Sequence, residues 1–175
     1  YSLLEKNVFE VVNPDNKTAN FHPKMWVIRE VNNDNSKDVL MKLIVSSRNM
    51  AYSDNIDCIT CMTGKVGNTQ TKNEKHRVLK KFIERVVKYS NITEEQASKV
   101  LSLAKEVERV EKFDVDRPFD DYDFYPYLFQ EDFGLGEIED YLCGTESIIV
   151  SPFIDKTLLG RLNPNRKERR ALITR

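Results

Sequence analysis

Two apolar runs joined by a short polar bridge constrain this chain most. "FHPKMWVIREV" covers residues 21–31 and "VLMKLIVSS" covers 39–47, with "NNDNSKD" between them. Both runs are rich in β-branched, aliphatic and aromatic residues, and the bridge is made of turn formers. The arrangement predicts an antiparallel hairpin with a variable tip. Pro23 stands near the start of the first run, where a missing N–H is tolerated. The second run is almost wholly apolar, which predicts a strand buried on both faces.

The rest of the chain adds strands first and helices later. "NVFEVV" (7–12) predicts a strand and "NPDNKTAN" (13–20) a turn-forming loop. "IDCITCMTG" (56–64) predicts another strand, and "KVGNTQTKNEK" (65–75) a loop. "HRVLKKFIERVVKYS" then places Val78, Leu79, Phe82, Ile83, Val86 and Val87 at helical spacing, an amphipathic stripe. "NITEEQASKVLSLAKEVERV" starts with Thr93 and has Gln96 three residues on, the pattern of a capping box. That helix start explains "NIT" (91–93) better than glycosylation does. "EKFDVD" and "DYDFYPYLF" alternate acids with aromatics and read as strands. "ESIIVSPFID" (146–155) reads as a strand broken at Ser151–Pro152, "KTLLGRL" as a short helix, and "NPNRKERRALITR" as a basic turn leading into a strand. The fold class is α/β: a mixed β-sheet flanked by helices.

Composition limits the function classes. The chain has 175 residues, 40% hydrophobic and 31% charged, enough for one domain with a real core. Lys plus Arg is 27 and Asp plus Glu is 28, a net charge of −1, so global basicity does not argue for nucleic acid and a local patch is not excluded. No stretch approaches the roughly 20 apolar residues of a membrane helix, and no signal peptide is visible, so the expected location is cytoplasmic, or nuclear in a eukaryote. Cys58, Cys61 and Cys143 are too few and too scattered for a disulfide framework. "CITC" has the spacing of half a zinc site, but no second ligand pair follows it. The acids around "FDDYDFYPYLF" (Asp114, Asp116, Asp120, Asp121, Asp123 and Glu131) read as a half-exposed strand edge rather than a metal site. Tyr1 rather than Met opens the chain, which is therefore expected to be part of something longer.

The residues with distinctive chemistry lie at one end of the predicted hairpin. His22 and Lys24 are two apart in an extended run, so their side chains point the same way. An imidazole can attack phosphorus while an ammonium holds the non-bridging oxygens. The returning run ends in "SSRNM". Ser47 and Asn49 are again two apart, and supply neutral donors for a phosphate oxygen or for orienting the imidazole. "NRKERR" (165–170) is either a solvated turn or a phosphate-contacting patch.

"FHPKMWVI…LIVSSRNM" resembles the phospholipase D superfamily motif, His-x-Lys on one strand followed by a small-residue turn with Ser and Asn on the next. The family's aspartate downstream of the lysine is absent: Arg29 and Glu30 stand there. Tyrosyl-DNA phosphodiesterases likewise lack it and tolerate a longer loop, so the resemblance runs toward that branch and toward nuclease-like members. It implies two such motifs, one histidine forming a covalent phosphohistidine and the other protonating the leaving group, with no metal and no cofactor. By position, His22 would be the nucleophile, Lys24 and Asn49 the phosphate ligands, and Ser47 their neighbour.

The second motif is not in this sequence. The only other histidine, His76, opens a helix and has Val78 two residues on. "ESIIVSPFIDKTLLGRL" resembles the first strand and helix of a new family repeat. Residues 1–75 are thus expected to end one half, 76–145 to connect, and 146–175 to begin the next half. The missing His-x-Lys would lie beyond Arg175, or two copies would pair as a homodimer. The expected substrate is a nucleic-acid phosphodiester, in restriction, repair or helicase-linked chemistry. The alternatives are an inactive module that binds nucleic acid or a protein partner, and a lipid phosphodiesterase.

Overall fold

The computed structural model describes residues 8–13, 21–49, 57–126, 146–150, 156 and 169–173. The chain forms two compact units, Tyr1–Pro126 and Tyr127–Arg175. The first is a four-stranded antiparallel sheet with two helices inserted before its last strand. The strands are β1 (Met25–Val31), β2 (Val39–Ser46), β3 (Ile59–Val66) and β4 (Val110–Asp114), in spatial order β1-β2-β3-β4. The helices α1 (Glu74–Lys88) and α2 (Glu94–Glu108) lie between β3 and β4 in sequence.

The predicted hairpin forms as β1 and β2. Met25 lies opposite Val45 and Val31 opposite Val39, with five pairs between them. Its tip is held by side chains that imitate backbone turns: Asn32 Oδ1 accepts from the Asp34 N–H at 3.0 Å and Asn35 Oδ1 from the Lys37 N–H at 3.2 Å.

The expectation that β2 is buried on both faces is not met. Val39, Met41 and Leu43 are buried, but on the other face Leu40 is 38% exposed and Ile44 is only half-buried. The helices cover one face, and their buried Leu79, Phe82, Ile83, Ala104 and Val107 complete a core with Met62, Val110 and Phe113. The register groups Trp26, Ile28, Leu40, Lys42 and Ile44 on the opposite face, where alternation is carried by a mixture of apolar and charged side chains. Apolar composition alone did not distinguish the two cases, because Leu40 and Ile44 are as apolar as Met41 and Leu43.

Gly64 is needed where β4 approaches β3. A Cβ there would meet the Lys112 carbonyl oxygen at 2.4 Å and Val110 Cγ1 at 2.5 Å, and the register shifts between Gly64 and Val66. A bulge at a glycine is the usual way for two strands to approach this closely.

α2 begins where its sequence predicts, whereas α1 begins at Glu74, inside the stretch expected to be a loop and two residues ahead of the expected start at His76. Asn73 caps α1, accepting from the Lys75 N–H at 3.0 Å. Thr93 and Gln96 form the capping box of α2: Thr93 N–H donates to Gln96 Oε1 at 3.2 Å and Gln96 N–H to Thr93 Oγ1 at 3.4 Å. Lys80 on α1 bridges Glu108 on α2 at 2.6 Å, and Arg29 on β1 bridges Glu106 at 2.5 Å.

Two predicted strands take other forms. In the N-terminal run, Val11 makes only an isolated bridge to Ser90, and the Val12 N–H donates to the Tyr89 carbonyl at 2.9 Å. This segment ties down the α1–α2 connection instead of joining the sheet. Residues 121–126 keep the alternation of burial, with Tyr122 and Phe124 half-buried, but form no ladder. They are an extended strap fixed by side chains.

In the second unit, β5 (Glu146–Val150) pairs in parallel with β6 (Arg169–Ile173), Glu146 opposite Arg169. Both strands fall where the sequence predicts them. Lys156 is helical, while the remainder of "KTLLGRL", the "NRKE" part of the basic run, Glu131 and Cys143 lie outside the described residues.

One-sided burial of β2 predicts an unequal response to truncation. Leu43→Ala should cost about 2–5 kcal/mol of unfolding free energy in urea titration, and Leu40→Ala about 1 kcal/mol or less. Equal costs would contradict the single-faced core.

Candidate functional site

His22 and Lys24 lie immediately ahead of β1 rather than within it, because the strand begins at Met25 and not at Phe21 as the sequence predicts. The chain brings them into direct contact. Lys24 Nζ meets His22 Nδ1, and the same ammonium donates to the His22 carbonyl at 2.8 Å. The lysine thus folds back over the histidine two residues before it, as same-side spacing allows.

This contact fixes the chemistry of the ring. An ammonium has only donors, so Nδ1 must accept and its lone pair is engaged. A neutral imidazole accepting at Nδ1 carries its proton on Nε2. In this arrangement neither nitrogen offers a free lone pair. A lone pair at Nδ1 is available to another partner only when the Lys24 ammonium donates elsewhere.

The strand pairing holds this corner beside the end of β2. The Ser46 N–H donates to the Lys24 carbonyl at 2.9 Å, one rung beyond the Met25–Val45 pair. Ser46 Oγ in turn donates to the Arg48 carbonyl at 2.9 Å and accepts from the Arg48 N–H at 3.3 Å. These bonds shape the bend that ends the strand.

Ser47 is tied to the other neighbour, β3. Its N–H donates to the Cys58 carbonyl at 2.9 Å, and its hydroxyl accepts from the Cys58 N–H at 3.0 Å and donates to Asp57 Oδ1 at 3.3 Å. The hydroxyl is therefore occupied by β3 rather than by His22. Asn49 is exposed, just past the bend. Of the predicted residues, the structure joins His22 to Lys24 directly. It links Lys24 to the "SSRN" turn through Ser46, and places Ser47 and Asn49 in that turn with the Ser47 hydroxyl bonded to Cys58 and Asp57.

Sequence reasoning missed three participants. Ser46 and Arg48 lie inside "SSRNM", where the spacing singles out only Ser47 and Asn49. Arg48 Nε stands 3.6 Å from Asp57 Oδ1, so Asp57 serves both Ser47 and Arg48. No local signal pointed to Asp57, because its role arises only from the β2–β3 register.

Cys58 and Cys61 are exposed, free thiols, and among the described residues no three His, Cys, Asp or Glu side chains converge as a metal site would require.

His76 has a wholly different environment. It lies in the first turn of α1, fully buried, with ring centroids 5.0 Å from Phe113, 5.8 Å from Tyr122 and 6.0 Å from Phe124. Tyr122 Oη accepts the Phe113 N–H at 2.8 Å, which leaves its own proton for His76 Nε2 at 2.7 Å. Nε2 then accepts, and the proton of the neutral ring belongs on Nδ1. That nitrogen is buried without a well-formed hydrogen bond. Desolvation lowers the pKa of His76 below its ordinary 6.5, the Val110 backbone works in the opposite direction, and the Lys75 charge lowers it further. Lys75 itself is held by Asp121 at 2.6 Å and Asp123 at 3.5 Å, over the Tyr122 ring. His76 is thus a neutral structural histidine that anchors the 121–126 strap.

No protein-family model matches the chain, and no curated protein or solved structure is significantly similar to it.

The lowered pKa of His76 has a definite sign for stability. As pH falls through 6.5 the unfolded chain takes up a proton that the folded chain refuses, so the unfolded state gains. Thermal melting followed between pH 7.5 and pH 5 should show stability declining as pH falls, and His76→Phe should flatten that decline. A wild-type profile with no slope in this window would contradict the neutral, buried state.

Proposed function

We propose that this chain supplies one half of a phospholipase D-like phosphodiesterase site acting on nucleic acid. The observation that carries the reading is the contact between Lys24 and His22 beside the β2 end that bears Ser46, Ser47, Arg48 and Asn49. In this reading a phosphodiester enters at the corner, and its non-bridging oxygens draw Lys24 Nζ from the imidazole. Asn49 donates to another phosphate oxygen, and Ser47, clasped by Cys58 and Asp57, keeps the turn in shape.

The freed imidazole attacks phosphorus, and the bond to the leaving oxygen breaks as a phosphohistidine forms. A second His-x-Lys, from further sequence or from a second copy, protonates that oxygen and then activates the water that releases the phosphate. His76 cannot fill this role, because it is enclosed by Phe113, Tyr122 and Phe124. Nucleic acid is preferred to lipid because no helix among the described residues is long and apolar enough to cross a membrane, and the resemblance runs toward nucleic-acid enzymes.

One observation favours a second reading, a module that binds phosphodiesters without cleaving them. With Lys24 on Nδ1, His22 is not in its nucleophilic form. The two readings differ in turnover. Hydrolysis of bis(p-nitrophenyl) phosphate and of short oligonucleotides should be measured with EDTA present. The assay should compare the 175-residue chain with a version extended by a second His-x-Lys half. The enzymatic reading predicts activity in EDTA when both motifs are present, reduced by about a hundredfold or more in His22→Ala. Activity abolished by EDTA, or unchanged in His22→Ala, contradicts the mechanism. Saturable binding without turnover in the paired form supports the module.

A further inference from the structure

The two edges of the four-stranded sheet differ. β4 forms one edge and β1 the other. Along β4, side chains meet the outward backbone groups. The Phe113 N–H donates to Tyr122 Oη at 2.8 Å, and the Glu111 carbonyl accepts from Asn73 Nδ2 at 3.0 Å. The strap and the cap of α1 thus close that edge to another strand.

β1 has no such cover among the described residues. Its ladder with β2 is bracketed by two bonds, from the Ser46 N–H to the Lys24 carbonyl at 2.9 Å and from the Asn32 N–H to the Asp38 carbonyl at 3.0 Å. Hydrogen-bonded pairs alternate along an antiparallel ladder, so Trp26, Ile28 and Glu30 turn their backbone groups toward β2. Met25, Val27, Arg29 and Val31 turn theirs outward, and no described residue bonds to those backbone groups. The charges that could guard the edge are drawn back onto their own unit: Arg29 bridges Glu106 at 2.5 Å, and Glu30 accepts Lys42 at 2.6 Å. Neither a proline nor a bulge interrupts the strand.

The strand is a good partner for itself. Antiparallel pairing centred on Ile28 uses every residue from Met25 to Val31. The outward groups then match, Val27 with the partner's Arg29 and Met25 with the partner's Val31. Trp26 faces the partner's Glu30 and Ile28 the partner's Ile28, so no like charges are directly opposed. Centring on Arg29 would oppose two guanidinium groups. Centring on Val27 would set Val31 against the partner's Pro23, which has no N–H to give.

We propose that β1 is the interface of a homodimer, in which two copies of this chain pair β1 antiparallel about a two-fold axis at Ile28 and join their sheets into one. The same edge serves both copies, so the assembly closes at two. The His22–Lys24 corners fall at opposite ends of the joined ladder. This pairing therefore does not unite two motifs, and it stands apart from the phosphodiester reading.

Sedimentation velocity of the 175-residue chain across a concentration series tests it. The wild-type chain should rise to twice the chain mass. Val27→Pro removes an outward N–H without touching the ladder to β2, and should raise the dimer dissociation constant about a hundredfold or more. Ile28→Lys, at an exposed position, opposes two ammonium groups on the axis and should raise it about tenfold. Melting curves establish that both variants are folded. In a background of Cys58→Ser, Cys61→Ser and Cys143→Ser, Ile28→Cys should oxidise in air to a disulfide-linked dimer. Opposed residues of a non-hydrogen-bonded pair lie within disulfide reach. Trp26→Cys, which faces Glu30 instead, should run as a monomer on a non-reducing gel.

A wild-type chain that stays monomeric at every concentration overturns the proposal. So does a dimer that persists unchanged in folded Val27→Pro and Ile28→Lys, or an Ile28→Cys chain that links no better than Trp26→Cys. None of these results touches the phosphodiester reading, which the turnover assay decides separately.

Discussion

The register between β1 and β2 is the constraint on which the remaining structure depends. Met25 opposite Val45 puts Leu43 and Met41 on the helix-covered side, and so decides which half of each strand is core. The same register, continued one rung by the bond from Ser46 to Lys24, brings the His22–Lys24 pair to the end of β2. A slip of one residue would turn the core residues outward and separate Lys24 from the turn that follows Ser46. Folding and the candidate site are therefore specified by the same ladder.

The two histidines illustrate how environment decides the role of one side chain. His22 is exposed, next to an ammonium, just ahead of a strand. His76 is buried among three aromatic rings, bonded to a tyrosine hydroxyl and lowered in pKa by desolvation. Burial keeps His76 neutral and fixes its tautomer, which suits an anchor. Exposure and contact with an ammonium leave the Nδ1 lone pair of His22 dependent on where Lys24 donates, the property on which the proposed function relies.

Much of the fold was legible because local chemistry and tertiary structure agree. The hairpin, the capping box at Thr93, the stripe of α1 and the β5 and β6 strands all follow from short-range pattern. The failures have a common physical origin. Whether β2 is covered on one face or two, and whether Val11 joins the sheet or the α1–α2 connection, depends on distant partners that no local pattern encodes. The strap at 121–126 has the period of a strand, yet its anchors are Lys75 and His76 on α1. At the candidate site, His22 and Lys24 were legible by spacing. Asp57 was not, because its link to Ser47 and Arg48 comes through the β2–β3 pairing.

The central claim is that His22 and Lys24 form an anion-responsive pair. It is tested most directly by following the ring resonances of both histidines by NMR during titration with the dinucleotide thymidylyl-thymidine. The account predicts a saturable shift of the His22 ring signals as Lys24 is drawn to the phosphate, with His76 unmoved, and loss of the response in Lys24→Ala. A His22 ring that stays unperturbed at saturating dinucleotide, or one that responds equally in Lys24→Ala, would contradict it.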